Sequence, residues 1–211
     1  MTIDDETRSA RKEREIIQAA TQAFISKGYD GTSMEEIATK AGASKQTVYK
    51  HFTDKETLFG EVVRSTATQT NDVVEMVARL LSEAEFTDGG LQQLARRLMA
   101  MLTDNELLKL RRLIIANADR MPQLGRDWYE KGFERMLTSM ASCFEKLTSR
   151  GLMRTPDPHQ AASHFFGMLL WIPMNEAMFT GNTNPRSIAE LERHADVSVE
   201  AFLVVYGARP K

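Results

Sequence analysis

Lys45, Gln46, Tyr49 and Lys50 fall within one short stretch, SKQTVYKHF, and all four carry hydrogen-bond donors or positive charge. Ser44 caps a helix that starts at once. On that helix Val48 and Phe52 lie one turn apart and face inward, so the polar residues point away from the core. Just upstream, Thr32 and Ser33 are hydroxyl caps, with Glu35 and Glu36 each three residues downstream of one of them, which predicts a capping-box start. Ile37 and Ala41 follow at helical spacing, and Gly42 supplies the left-handed conformation that ends a helix cheaply. A short helix with donors and cations outward, braced by a preceding helix, is the layout of a helix-turn-helix reading head. The competing explanation is a solvated polar face, the ordinary fate of a charged helix surface.

The wider run AGASKQTVYKHFTDKETLF decides between them. Ala41-Gly42, Ser44-Lys45, Thr47-Val48-Tyr49, His51-Phe52 and Lys55-Glu56-Thr57-Leu58 together resemble the signature of the TetR-type bacterial transcriptional regulators. Ile17–Phe24, Gly28-Tyr29 and Thr32-Ser33 match the rest of that family's N-terminal domain, so the resemblance covers residues 11–60. It implies that Ser33, Tyr49, His51 and Lys55 hold phosphates while Lys45, Gln46 and Thr47 reach base edges, with Ser44 capping the same surface. Gln suits adenine N6 and N7, Lys favours guanine, and the Thr methyl suits thymine. Members of the family often carry a small residue where this chain has Gln46. Arg8, Arg11 and Lys12 fit either the DNA backbone or minor groove, or a frayed basic arm. The run Leu110–Gly132 also resembles the AefR-type C-terminal half.

Composition sets bounds without naming a function. The 211 residues carry a net charge of −2, 27% charged and 42% hydrophobic residues, which describes an ordinary globule. Positive charge is only locally in excess: residues 8–51 hold eight cations against five acids. Cys143 is the only cysteine, so no internal disulfide can form and a reducing cytoplasm is the expected setting. The N-terminus has no apolar signal-peptide region, and Phe165–Met174 is too short to span a bilayer, which needs about 20 residues. No membrane association is expected.

The supporting elements read as all-α. Residues 1–7 are expected to fray, and a first helix from about Ser9 to Lys27 has Ile16, Ala20, Ala23 and Phe24 as its stripe. With the Thr32–Phe52 pair it forms a three-helix unit whose core is Phe24, Ile37, Val48 and Phe52. Thr53–Glu56 is a further capping box opening a helix to about Leu81, so a tilt of that helix moves the head. A loop near Glu85–Gly90, a helix through Leu91–Leu102, and one capped by Thr103 with Glu106 follow. Met121-Pro122 breaks the latter, and a single helix from about Leu124 to Thr148 has Phe133, Met136, Leu137, Met140, Phe144 and Leu147 at 3-4 spacing. Asp157-Pro158 starts a helix that is apolar nearly all round, with Pro173 expected to kink it and leave a carbonyl unpaired. Asn184-Pro185 starts the last. The predicted organisation is a helix-turn-helix domain over 1–53 and a helical effector-binding and dimerisation domain over 54–211.

Ten of the 12 methionines lie from Met76 onward. Core packing explains any one of them. As a group, Met99, Met136, Met140, Met168, Met174 and Met178 with Phe133, Phe144, Phe165 and Trp171 could line an adaptable apolar cavity. The two helices 158–179 and 187–206 carry more apolar surface than one core covers, which predicts a four-helix bundle between two copies. The expected function is therefore a homodimeric repressor, released from a palindromic double-stranded DNA operator by a small apolar effector. A helix-turn-helix activator or architectural protein without effector is the first alternative, and a helical carrier or enzyme the second. His51, His159, His164 and His194 have no ligand spacing such as HExxH, and no Gly-rich phosphate loop or Gly-x-Ser-x-Gly occurs, so no enzyme, metal or cofactor is expected. His164 reads as a hydrogen-bonded core histidine.

Overall fold

The computed structural model describes residues 3–68, 89–181 and 186–208. In chain order the described helices are α1 (Ile3–Lys27), α2 (Met34–Lys40), α3 (Lys45–His51), α4 (Lys55–Thr68), α5 (Gly90–Leu102), α6 (Asn105–Asn117), α7 (Pro122–Trp128), α8 (Arg135–Ser149), α9 (Pro158–Phe179) and α10 (Ile188–Tyr206). No strand occurs among the described residues, only an isolated bridge between Met153 and Gly207. The helix expected to reach Leu81 lies outside the described residues past residue 68, and the last helix starts at Ile188, capped by Ser187 with Glu190, and not at Asn184-Pro185. None of the described helices is long and apolar enough to cross a membrane. The chain divides into two compact units, Met1–Thr68 with Lys109–Trp128, and Gln69–Leu108 with Tyr129–Lys211.

In the first unit the stripe of α1 buries Ile16, Ala20, Ala23 and Phe24 against Ile37, Val48 and Phe52, as their spacing predicts. Helix α1 begins at Ile3, earlier than Ser9, and ends where Gly28 takes φ +77°. Thr32 does not cap α2. It is buried, and its hydroxyl donates to the carbonyls of Gly28 at 2.8 Å and Ala23 at 3.2 Å, satisfying acceptors that the end of α1 leaves open. Ser33 is the cap, its Oγ accepting from the Glu36 amide. The three-helix core is completed by α4, which adds Leu58, Phe59, Val62 and Val63, and by Leu110, Ile114, Met121 and Leu124. Phe59 sits edge-on to Phe24 at 5.1 Å between ring centroids, with Tyr29 at 5.2 Å closing the group. Helix α7 approaches α4 so closely at Gly60 that a Cβ there would lie 3.3 Å from a Leu124 methyl.

In the second unit α5, α8, α9 and α10 enclose Leu94, Leu98, Met99, Met140, Phe144, Phe165, Leu169 and Phe202. Phe144 and Phe202 stack at 5.1 Å, and Phe165 meets both edge-on. The helix expected over 124–148 is not uniform: between α7 and α8 the residues Tyr129–Glu134 form a π-helical turn. Within that turn Tyr129 and Phe133 lie 5.8 Å apart between ring centroids.

Helix α9 continues through Pro173. Proline has no N–H, so the Leu169 carbonyl four residues back loses its helical donor. That carbonyl is not left unpaired, because His194 Nε2 of α10 lies 3.1 Å from it and Ser198 donates to the neighbouring Met168 carbonyl at 3.2 Å. The Leu169 oxygen can only accept, so His194 carries its proton on Nε2. His194→Ala is therefore expected to cost about 1–2 kcal/mol by leaving a partly buried acceptor open, whereas the same change with Pro173→Ala should cost less than the sum. A double-mutant cycle by chemical denaturation measures the coupling, and strict additivity would refute it.

Candidate nucleic-acid interface

Helices α2 and α3 pack through Ile37, Ala38 and Val48, and Gly42 takes φ +55° in the turn between them. Ser44 Oγ accepts from the Thr47 amide at 3.0 Å and hydrogen-bonds the Thr47 hydroxyl at 2.8 Å. Val48 is fully buried, so the rotation of α3 is fixed and the opposite face is presented outward. On that face Lys45, Gln46, Tyr49 and Lys50 are exposed, with Tyr49 at 42%. Ser33 is exposed at the start of α2, while Thr47 and His51 are half-buried.

The electrostatics of this face were not legible as residue types. Lys45 is ion-paired to Glu35 of α2 and lies 5.7 Å from the Tyr49 ring. The Lys45 hydrogen bond holds the Glu35 carboxyl below its ordinary range, and Glu35 holds the Lys45 ammonium above its own. His51 Nδ1 is 3.8 Å from Glu13 of α1, and Lys27 reaches Glu36 at 2.8 Å. Arg11 and Lys12 both reach Glu15 on the helical surface of α1, so these cations stand on ordered helix and not on a frayed arm.

Lys55 differs from the rest. Its Nζ donates to the carbonyls of Tyr29 at 2.8 Å and Thr32 at 2.9 Å and lies 4.4 Å above the Tyr29 ring. It thus ties the start of α4 to the α1–α2 turn. Sequence gave no sign of this tie, because its partners are backbone oxygens more than twenty positions away.

The residues put forward for an apolar cavity separate into two groups. Met99, Met140 and Phe144 are 0% exposed, and Met136 and Phe165 are buried with them in one hydrophobic cluster. Phe133 and Met174 pack partly buried at the margin of that cluster. Met168 and Trp171 are elsewhere, 40% and 68% exposed on the outer side of α9. His164, expected in the core, is exposed and bonds the Tyr206 hydroxyl and Gln160. Cys143 is buried and its thiol is pushed up to about 12 by desolvation, which leaves it unreactive.

Comparison with known proteins supplies the family context. Residues 16–62 match the family model for bacterial regulatory proteins of the tetR family, and residues 89–208 match that for the AefR-like transcriptional repressor C-terminal domain. A TetR-family transcriptional regulator from Mesorhizobium loti MAFF303099 is 83% identical, with a TM-score of 0.90 over 95% of this chain and 98% of its own. The flavonoid-responsive regulator FrrA is 25% identical, with a TM-score of 0.68 over 95% of this chain and all of its own. The transcriptional repressor AcnR of Corynebacterium diphtheriae is 28% identical over 94 residues, 42% of this chain and 50% of AcnR. The transcriptional activator FasR of Mycolicibacterium smegmatis is 39% identical over 59 residues, 27% of each chain. The chain thus spans about half the length, or less, of these curated relatives.

Proposed function

The chain belongs to the TetR family of DNA-binding transcriptional regulators, and from that premise we propose a cytoplasmic homodimeric repressor that leaves a palindromic operator when a small apolar effector binds. The observation that carries the DNA half is the fixed outward face of α3, with Lys45, Gln46 and Tyr49 exposed beside the capped start of α2. Lys45, Gln46 and Thr47 are the base-reading set. Ser33, Tyr49 and His51 position the head on phosphates, with Ser44 holding the first turn of α3. Lys55 supports Ser33 from behind.

The dimer rests on the outer side of α9 and α10. Trp171 and Ile172 are 68% and 54% exposed, and Val197 and Val204 are 57% and 87% exposed. Large apolar side chains gathered on one helix pair mark a protein contact. A two-fold axis between copies would place the heads on half-sites about 34–36 Å apart or a multiple of that.

The effector half draws support from the family and from the methionine-rich core, whose unbranched side chains can move aside for an apolar molecule. The burial of Met99, Met140 and Phe144 among the described residues suits a second reading, a regulator without an effector. Operator DNA and an effector must weaken each other's binding by the same factor. Titrating a hydrophobic compound library against the protein with and without its operator separates the two readings.

Gln46→Ala is expected to cost about 1–3 kcal/mol at one base-pair position and to leave the other positions unchanged. Selection from a random duplex pool, followed by single-base competition, measures it. An equal loss on operator and random DNA would remove Gln46 from the base-reading set.

A further inference from the structure

Arg111 of α6 is a cation in apolar surroundings. The residues three and four positions away, which share its surface of the helix, are Leu107, Leu108, Ile114 and Ile115. Leu108 and Ile114 are buried, and Arg111 lies between them along the helix, itself half-buried with its Nε shut off from solvent. Among the described residues no oxygen accepts from that Nε, and it is the one buried side-chain nitrogen or oxygen so left. Arg64, Arg96, Arg120 and Arg186 each face a carboxylate. Arg111 does not. Desolvation alone holds its guanidinium below the ordinary range, yet an arginine so placed keeps its proton at neutral pH. The fold therefore carries an unanswered charge there, at a cost in stability. That cost has a use if the counter-charge comes from outside the chain. We propose that Arg111 receives the acid group of the effector, which is then an apolar carboxylic acid and not a neutral apolar molecule. As the identity of an effector the inference rests on the ligand-released reading above; as a binding site it stands on Arg111 and its neighbours.

The class of ligand follows from the two halves of the site. A carboxylate presents two oxygens that match the guanidinium fork, and such paired bonds are shorter and stronger than neutral ones. Away from bulk water, salt screens that attraction less than it would at an exposed pair. The four aliphatic neighbours select the rest of the molecule. Inorganic phosphate or chloride would give up its hydration to meet them and gain nothing from them. The chain or ring of an organic acid instead buries apolar area against the same side chains. Ile115, one turn beyond Arg111, is 61% exposed, so this flank of α6 stays open to an incoming acid.

The probes are hexanoate, decanoate and benzoate, each beside the alcohol of the same carbon skeleton, with inorganic phosphate as a control. Calorimetry without DNA measures their binding to wild type and to Arg111→Met, which keeps the aliphatic stem and removes the charge. Wild type should bind at least one acid about ten- to a hundredfold more tightly than its alcohol, the size expected of a charged pair. Phosphate should bind far more weakly, and in Arg111→Met the acid and its alcohol should bind alike. Free of ligand, Arg111→Met should melt at or above wild type, because no partner is lost. Acids that bind no better than their alcohols, or not at all, would overturn the proposal. So would an acid preference that survives in Arg111→Met, or phosphate binding as tightly as the acids. Arg111→Met melting well below wild type would overturn it too, by showing the guanidinium already at work in the fold. Operator titrations separate this inference from the reading beneath it. Alcohols that release the operator while the acids do not bind would keep an effector and sink the anion site. An acid that binds through Arg111 without weakening operator binding would keep the site and remove the ligand-released repressor.

Discussion

Trp171→Glu is expected to give a folded monomer whose operator affinity is at least about a thousandfold lower. Trp171 is 68% exposed on α9, next to Ile172 and one turn from Met168, and none of the three contributes to the buried cluster inside the unit. The substitution therefore removes nothing from that core, and helicity should be retained. In a two-fold contact each side chain counts twice. Burying the exposed part of a large aromatic side chain contributes about 2–3 kcal/mol per copy. Two lost copies amount to about 4–6 kcal/mol, or about three to four powers of ten in the dimer Kd. An unpaired glutamate in such a contact adds further cost. A single head makes half the contacts, so operator binding should fall with the dimer. Sedimentation together with circular dichroism measures both quantities, and Val204→Glu on α10 should give the same result from the other helix. A Trp171→Glu protein that remains dimeric at micromolar concentration would show that the apolar side of α9 and α10 serves something else.

How the reading head is built was largely legible from local signals. Ser33, Ser44 and Asp157 act as caps because their side chains need only the next turn of their own helix. The threonines misled for an instructive reason. Thr32 and Thr103 each precede a capping residue, and each turns back instead, Thr103 donating to the Met99 carbonyl at 2.7 Å while Asp104 caps α6. The residue between two closely spaced helices can serve either one, and here both hydroxyls bond back to carbonyls of the first, Met99 taking the Thr103 amide as well. The 3-4 spacing from Phe133 onward reads as one continuous helix from Leu124, and nothing in it marks the π-helical turn over Tyr129–Glu134. What no spacing could reveal were partners distant in the chain, such as Glu13 beside His51 or His194 on the Leu169 carbonyl. The all-round apolar character of α9 was legible, but not which of its residues turn outward. That division depends on where α8 and α10 lie, so Phe165 and Trp171 read alike until they are placed.

The largest expected loss of stability from a single change on the DNA-binding side is at Lys55. A phosphate-contacting lysine on the surface could be truncated with loss of affinity and little effect on folding. Lys55 instead donates to two carbonyls in the turn between α1 and α2 and covers the Tyr29 ring. Tyr29 is itself buried, its ring 5.2 Å from that of Phe59 and 5.8 Å from that of Phe24. Lys55→Met keeps most of the aliphatic stem and removes only the ammonium. The two carbonyls then lose a charged donor, and with partial exposure to water the cost should be about 3 kcal/mol. For a chain of this size that lowers Tm by about 8 °C. The turn that loses its tie carries Thr32 and Ser33, so the start of α2 loosens with it and binding to every duplex should weaken together. The decisive measurement is thermal unfolding of Lys55→Met beside Lys50→Met, an exposed lysine on α3. If both variants melt like wild type while only DNA affinity falls, Lys55 acts on the phosphates alone. If only Lys55→Met melts early, and a saturating amount of operator restores part of the loss through linkage, the ammonium holds the reading head together before any DNA arrives.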